Sequence, residues 1–262
     1  MKYGFIGCGN MGGSIAKALS NSTKDILLAD PTEKAAILAQ QLGCACADNE
    51  TVVNTCDCVF LAVKPQVMAD VLAPLRPCFE KNKPLVVSMA AGITVGKIES
   101  LIGTSLPVIR IMPNTPVAVG AGMILYCHNA LVDEAMLEAF LKDAAPCGQW
   151  DLLDEALIDA AGVVSGCGPA YMYQIIEALA DGAVLAGLPR AMAYELAAQT
   201  MAGAAMMVLE TGAHPGVLKD QVTSPGGTTI RGIQAMEAHG VRNAMIDAVQ
   251  QAYIRSKELG EA

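Results

Sequence analysis

The sequence predicts an α/β fold, namely a Rossmann-like, doubly wound, mostly parallel sheet followed by an all-α domain. Two observations support this prediction. Residues 2–112 alternate short apolar runs with helical patterns, which is the rhythm of repeated βα units. From about Leu153 onward, every patterned segment has helical spacing instead. A chain of 262 residues is long enough for two domains, which we expect at residues 1–152 and 153–262.

Apolar runs bounded by turn residues predict the strands of the first domain, and helical spacing predicts the helices between them. The strands are expected at Tyr3–Cys8, Ile26–Ala29, Cys44–Cys46, Cys58–Val63, Leu85–Met89, Val108–Met112, Ala121–Tyr126 and Gln149–Asp151. The clearest helices are Met11–Leu19, Glu33–Leu42, Gln66–Leu72 and Asp133–Ala144. In the usual strand order the first and fourth strands are neighbours, so the loops after them should face each other across a ligand crevice.

Helical patterns separated by glycine and proline breaks fill the second domain. We expect helices at Glu155–Val164, Pro169–Ala186, Arg190–Glu210, Pro215–Val222, Thr229–Ala238 and Arg242–Leu259. One break is Gly166-Cys167-Gly168-Pro169, which places proline in a first helical turn. The helices are apolar on nearly every face, and a domain of roughly 110 residues cannot bury all of those faces alone. We therefore predict a homodimer formed through residues 155–262.

Composition and charge exclude several classes of protein. Hydrophobic residues make up 53% of the chain and charged residues 16%, which suits a globular core. A net charge of −9 without any basic run argues against nucleic acid as a partner. No apolar run reaches the roughly 18 residues that a membrane-spanning helix needs, so no membrane partner is expected.

The nine cysteines contain no C-x-x-C motif. We expect them to be small buried thiols in a reducing cytoplasm, without a bound metal. This expectation includes the pairs Cys44/Cys46 and Cys56/Cys58, in which strand alternation would put both members on one face.

A glycine fingerprint follows the first strand. Gly7, Gly9 and Gly12 have the G-x-G-x-x-G spacing of a dinucleotide-binding turn, in a βαβ context. Gly7 would permit the tight turn, Gly9 would let a pyrophosphate approach the backbone, and Gly12 would let the helix lie close to its strand. The N–H groups at the start of that helix would then bind the phosphates.

Asp30 ends the second strand, where an acidic residue accepts a hydrogen bond from the ribose 2′-hydroxyl of NAD and repels a 2′-phosphate. An equally supported alternative is that Asp30-Pro31-Thr32-Glu33 forms a turn and an N-cap for the next helix, since aspartate and proline suit both roles.

A second glycine-rich segment, Val222-Thr223-Ser224-Pro225-Gly226-Gly227-Thr228-Thr229, precedes a predicted helix. Consecutive glycines can direct their N–H groups toward one point, and the helix dipole adds attraction for an anion such as a small carboxylate. The simpler alternative is a plain loop in which a threonine caps the helix.

Six motifs together indicate a family. They are, in order, Gly4–Gly12, Ala62–Pro65, Ser88–Ile93, Arg110–Pro116, Ser165–Tyr171 and Ser224–Thr229. The chain resembles pyrroline-5-carboxylate reductases over essentially its whole length, and the last motif is the most specific. The resemblance implies reduction of the imine of Δ1-pyrroline-5-carboxylate to L-proline by hydride transfer from NAD(P)H, the last step of proline biosynthesis.

The resemblance also implies roles for individual residues. Thr229 and Lys64 would be the catalytic residues, Thr229 through a hydrogen bond to the ring nitrogen and Lys64 beside the nicotinamide ribose or the substrate. The N–H groups of Gly226, Gly227 and Thr228 would bind the substrate carboxylate, and Ser224 would support the loop. The cofactor residues would be Gly7, Cys8, Gly9, Asn10, Met11 and Gly12 in the turn, Asn49 toward the adenosine ribose, Val63, Lys64, Pro65, Ala90, Ala91 and Gly92 around the nicotinamide, and Asn114 nearby.

Asp30 departs from the family pattern. Family members usually prefer NADPH and have a small or basic residue after the second strand. Because the family usually prefers NADPH, NADPH is the expected cofactor. Asp30 leaves NADH possible as well, and Lys34 could offset the Asp30 carboxylate if a 2′-phosphate binds. The resemblance further implies a homodimer or a larger ring of dimers.

Two other functions compete with this interpretation. A β-hydroxyacid dehydrogenase also has a Rossmann domain followed by helices, but it uses a lysine on an interdomain helix, and Glu155–Glu210 contains no lysine. A nucleotide-sensing protein would bind the cofactor without turnover, and it would have no evident use for the anion-binding loop.

Overall fold

The computed structural model describes residues 1–261, with side chains as far as residue 258. Its contacts divide the chain into two compact units. One is formed by Met1–Cys167 together with the segment from Tyr253, and the other by Gly168–Ala252. No helix in the described residues is both long and apolar enough to cross a membrane.

One sheet lies at the centre of the first unit, with eight strands among the described residues. They are β1 (Tyr3–Ile6), β2 (Ile26–Ala29), β3 (Ala45–Cys46), β4 (Cys58–Leu61), β5 (Leu85–Ser88), β6 (Val108–Met112), β7 (Gly122–His128) and β8 (Gly148–Leu152). Their order is β3-β2-β1-β4-β5-β6-β7-β8, and neighbouring strands are parallel except for β6 and β7. The Rossmann-like prediction is confirmed, including the position of β1 beside β4.

Helices cover both faces of this sheet. They are α1 (Asn10–Leu19), α2 (Lys34–Leu42), α3 (Asn49–Thr55), α4 (Pro65–Leu72), α5 (Arg76–Asn82), α6 (Val95–Ile102), α7 (Glu134–Ala144) and α8 (Glu155–Gly162). Side chains alternate between the faces of a strand. Phe5 and Phe60 therefore stack in one core, with ring centroids 4.5 Å apart, whereas Ile6 and Leu61 belong to the other. Two cores on opposite faces are what a doubly wound fold requires.

Besides the clearest predicted helices, the short helices α3, α5 and α6 also lie between strands of the sheet. The first unit differs from the prediction in two details. β1 ends at Ile6 because Gly7 has a φ of 102°, which ends the extended backbone. The expectation of buried thiols is wrong for Cys46, which is exposed, and for Cys44 and Cys167, which are half-buried. Cys46 lies in β3, a two-residue edge strand, and Cys44 comes just before it. Cys56 and Cys58 are buried as expected.

Arg110 lies in β6 and is only 2% exposed, although arginine is rarely buried without partners. Its guanidinium donates to Glu155 Oε1 at 3.2 Å and to Asp159 Oδ1 at 2.6 Å. Glu155 Oε1 also accepts from the Val95 N–H at 2.8 Å. One buried cation therefore ties α6 and α8 to the sheet.

The second unit is helical. It contains α9 (Gly168–Leu185), α10 (Arg190–Thr211), α11 (Pro215–Gln221) and α12 (Thr228–Ala238), and the chain ends with α13 (Val241–Glu261). Within its described residues, the only buried apolar side chains are those of Ala180, Ala193 and Ala197. Leu185 is 90% exposed and Leu209 is 81% exposed. Burying one leucine contributes about 1.5–3 kcal/mol, so these faces favour association with a further surface.

The segment Gly166–Pro169 does not interrupt the helical backbone, so the predicted break is wrong, although Pro169 lies in the first turn of α9 as predicted. Val163–Cys167 form a π-helical turn directly after α8, and the backbone stays helical. Pro169 lacks the N–H that would bond the Ser165 carbonyl in an α-helix. That carbonyl instead accepts from Asn114 Nδ2 at 2.9 Å. A long-range hydrogen bond thus satisfies the group that the proline leaves without a partner.

Candidate functional site

The turn between β1 and α1 is closely packed at two of its three glycines. The Gly7 N–H donates to the Ala29 carbonyl at 2.8 Å. A Cβ on Gly7 would lie 2.6 Å from the Ala62 carbonyl oxygen, and a Cβ on Gly12 would lie 2.5 Å from the Gly7 oxygen and 2.7 Å from the Ala62 Cβ. Ala62 follows β4, so the loops after β1 and β4 are in contact, as the sequence predicts.

Gly9 faces open space by contrast. It is the N-cap of α1, with an extended backbone and no side-chain cap bond, and a Cβ there would meet nothing within 4 Å. Asn10 and Met11 form the first turn of α1, where N–H groups have no intrahelical partner. A pyrophosphate can approach the backbone at Gly9, so the residues of this turn fit a dinucleotide.

A cavity of about 460 Å³ opens beside the turn. Gly7, Asp30, Asn49 and Val63 line it, so four of the predicted cofactor residues meet here. They come from the ends of β1, β2 and β4 and from the start of α3. Ligands of doubly wound sheets bind at this edge, outside the carboxyl ends of the strands.

Asp30 is bonded within the site rather than to the next helix. Its Oδ2 accepts from the Cys8 N–H at 2.8 Å, and its Oδ1 accepts from the N–H and the hydroxyl of Thr32 at 2.9 and 2.6 Å. The N-cap of α2 is Glu33, so Asp30 forms a turn with Thr32 but does not cap the helix. Partial burial raises the pKa of Asp30, but the three hydrogen bonds outweigh it and leave the pKa below its usual value. Asp30 is therefore ionised at neutral pH.

The residues predicted around the nicotinamide lie in the loops after β4 and β5, which are neighbouring strands. Lys64 is exposed and is the N-cap of α4, and Pro65 occupies the first helical position. Ala90 is buried, whereas Ala91 and Gly92 are exposed. Because the carboxyl ends of parallel strands share one edge of a sheet, both loops lie at the edge that holds the glycine turn.

Asn114 is 7% exposed, and both ends of its amide are bonded inside the protein. Nδ2 donates to the Ser165 carbonyl, and Oδ1 accepts from the Met123 N–H, each at 2.9 Å. The structure gives Asn114 a structural role, in which its side chain links the loop after β6 to Ser165 and to β7. The sequence does not reveal this role, because Ser165 lies 51 residues away along the chain.

Replacing Asn114 by alanine is expected to destabilise the protein by about 2–4 kcal/mol, because the Ser165 carbonyl and the Met123 N–H both lose their partner. Urea unfolding followed by circular dichroism measures this change. Asn21→Ala, in an exposed turn, is the control and should change the stability by less than about 0.5 kcal/mol. Equal effects of the two substitutions would contradict this structural role.

The second glycine-rich segment forms a tight turn into α12 in the second unit. Gly226 has a φ of 70°, and the Gly227 N–H donates to the Ser224 carbonyl at 3.1 Å. Gly227 is the N-cap of α12 and no side chain caps the helix, so the alternative of a threonine cap is wrong. A Cβ on Gly227 would collide with Ser224 Oγ. Thr228 and Thr229 begin α12, so their N–H groups have no intrahelical partner and suit an anion.

Comparisons with known proteins agree with the resemblance. Residues 155–259 match the family model described as pyrroline-5-carboxylate reductase dimerisation. Residues 2–92 match the model described as NADP oxidoreductase, coenzyme F420-dependent. The two models together cover most of the chain.

Individual relatives give the same result. The chain is 42% identical to the pyrroline-5-carboxylate reductase of Escherichia coli (strain K12), over 100% of this chain and 99% of that protein. It is 47% identical to the pyrroline-5-carboxylate reductase of Synechocystis, over 82% of this chain and 79% of that protein. The solved structure of Plasmodium falciparum pyrroline carboxylate reductase with NADP bound superimposes with a TM-score of 0.88, at 32% identity, over 99% of this chain and 98% of that one.

Proposed function

This chain belongs to the pyrroline-5-carboxylate reductase family, and we propose that its two glycine-rich segments bind the two reactants of that family's reaction. It is an NAD(P)H-dependent oxidoreductase that reduces Δ1-pyrroline-5-carboxylate to L-proline, a step of proline biosynthesis. The observation that best supports our assignment of the substrate site is the uncapped start of α12 behind the Gly226-Gly227 turn.

We assign substrate binding to residues 224–229. The N–H groups of Gly226, Thr228 and Thr229 bind the substrate carboxylate, at the positive end of the α12 dipole. The Gly227 N–H is already bonded to the Ser224 carbonyl within the turn, so it is not assigned to the substrate. Gly227 contributes instead by lacking a side chain, which leaves room for Ser224 Oγ.

We assign the catalytic hydrogen bond to Thr229. A protonated imine already accepts a hydride readily, so the protein needs no strong general acid. The bound NADPH or NADH supplies the hydride, which adds to C5 of the ring. The Thr229 oxygen accepts a hydrogen bond from the protonated ring nitrogen, which orients the imine and holds the proton that becomes part of the secondary amine of proline.

We assign cofactor binding to the other glycine-rich segment and the loops beside it. The Gly7–Gly12 turn binds the pyrophosphate, while Asp30 and Asn49 bind the adenosine ribose. Val63, Lys64, Pro65 and the Ala90–Gly92 loop contact the nicotinamide half. In this division residues 1–152 bind the dinucleotide, and residues 153–262 dimerise and bind the substrate.

We also propose a homodimer through residues 155–262, or a ring built from such dimers. The exposure of Leu185 and Leu209 and the dimerisation model over residues 155–259 support this proposal. Light scattering at micromolar concentration should give at least twice the monomer mass, and a folded monomer would contradict it. A reducing compartment such as the cytoplasm fits nine cysteines that are all free thiols.

The oxidation of NADPH and of NADH by the purified protein with Δ1-pyrroline-5-carboxylate tests the reaction. Formation of L-proline in an amount equal to the cofactor oxidised is expected. A protein that binds either nucleotide but oxidises neither would favour the nucleotide-sensing alternative.

A further inference from the structure

The Asp30 carboxylate has one hydrogen-bond acceptor position left for a ligand. An ionised carboxylate offers about four such positions, two on each oxygen. The N–H and the hydroxyl of Thr32 use both positions on Oδ1, and the Cys8 N–H uses one on Oδ2. The remaining position is on Oδ2, the oxygen that accepts the hydrogen bond from the Cys8 N–H of the glycine turn. It accepts from a donor such as a ribose hydroxyl, and it has nothing to offer a phosphate oxygen.

The backbone on both sides holds this carboxylate in place. Pro31 restricts the backbone of Asp30 to extended conformations. The Cys8 N–H belongs to the glycine turn, so Oδ2 is fixed to the segment that approaches the pyrophosphate. Turning the carboxylate away from a 2′-phosphate would break all three of these hydrogen bonds, each of which is made to a charged group.

The charges around the cavity also disfavour a 2′-phosphate. Asp30 and Asp48 both line it, and the described residues that line it include no lysine or arginine. Lys34 contributes to the lowered pKa of Asp30, but it is exposed and does not line the cavity. A 2′-phosphate would therefore meet two carboxylates and no cation in the wall of the cavity.

We propose that Asp30 makes this reductase selective for NADH over NADPH. The proposal rests on the assignment of the glycine turn to the cofactor, and it separates this chain from the Plasmodium falciparum relative, whose structure holds NADP. We expect NAD⁺ to bind about 10- to 100-fold more tightly than NADP⁺, because like charges at close range repel even in a partly exposed site.

Calorimetric titration of the whole protein with NAD⁺ and NADP⁺ measures the selectivity without turnover, and kcat/KM for NADH and NADPH measures it in the reaction. Asp30→Asn keeps the shape of the side chain and removes its charge, and Asp30→Ser also shortens it. Both should bring the two dissociation constants to within about threefold of each other. Asp25→Asn is the matched control, because it removes an exposed carboxylate just before β2, at the opposite end of that strand. It should leave the ratio unchanged.

Tighter binding of NADP⁺ than NAD⁺ by the wild type would overturn the proposal, and so would an Asp30→Asn ratio equal to that of the wild type. If the wild type binds neither nucleotide, the cofactor assignment fails and the selectivity fails with it. A wild type that reduces the substrate equally well with both nucleotides rejects only the role of Asp30.

Discussion

Replacing Gly9 by alanine is expected to weaken dinucleotide binding by about 100-fold or more, because bonds from N–H groups to a charged phosphate contribute about 1.5–3 kcal/mol each. The new Cβ would meet nothing within 4 Å in the protein itself. It would instead occupy the space through which a pyrophosphate reaches the first turn of α1. The melting temperature should therefore stay that of the wild type. Calorimetric titration and thermal denaturation measure the two quantities separately.

Two neighbouring glycines provide matched comparisons. Gly12→Ala places a Cβ 2.5 Å from the Gly7 carbonyl oxygen, so it should lower both the stability and the affinity. Gly13→Ala places a Cβ 3.5 Å from Leu38 Cδ2, which is an ordinary contact, so it should leave the affinity unchanged and should not lower the stability. A stable Gly9→Ala protein that binds the dinucleotide as the wild type does would show that the phosphates do not pass over Gly9.

Thr229→Ala is expected to lower kcat by about 100-fold, in the range that removal of a positioned hydrogen-bonding or proton-transfer group usually costs. The substitution removes the hydroxyl that orients the ring nitrogen but leaves the N–H groups at the start of α12 in place. Cofactor affinity should stay unchanged. Steady-state rates with saturating cofactor, together with the affinity measured by titration, check both expectations.

The comparison with two further variants isolates the role of the hydroxyl. Thr229→Ser restores a hydroxyl at the same position and should recover much of the rate. Lys64→Ala should mainly raise the KM for the cofactor, because its amine lies in the loop after β4 rather than in the substrate loop. Wild-type turnover in Thr229→Ala would remove this residue from the mechanism.

The fold is predictable from the sequence because its signals are local. Each central strand is a short apolar run, and the glycine spacing after β1 identifies the edge of the sheet where a ligand binds. The neighbouring positions of β1 and β4 then follow from the usual topology of such sheets, and the contact of Gly7 with Ala62 agrees with it.

The features that the sequence conceals depend on distant partners. Gly166–Pro169 has the composition of a helix break, yet the backbone stays helical, and Asn114 bonds the carbonyl that Pro169 leaves without a partner. Arg110 is buried against two carboxylates that come 45 and 49 residues later. The surroundings of Asp30 depend on a distant partner as well, since its bond to the Cys8 N–H joins the loops that follow β1 and β2. No periodicity in the sequence reports such contacts.

The exposed leucines of the second unit make the folded state sensitive to mass action. If association covers Leu185 and Leu209, part of the free energy of unfolding comes from the encounter of two chains. Dilution would then lower the melting temperature even though no contact within a chain changes. A newly synthesised chain would reach its full stability only where the concentration of other copies is high enough for two chains to pair.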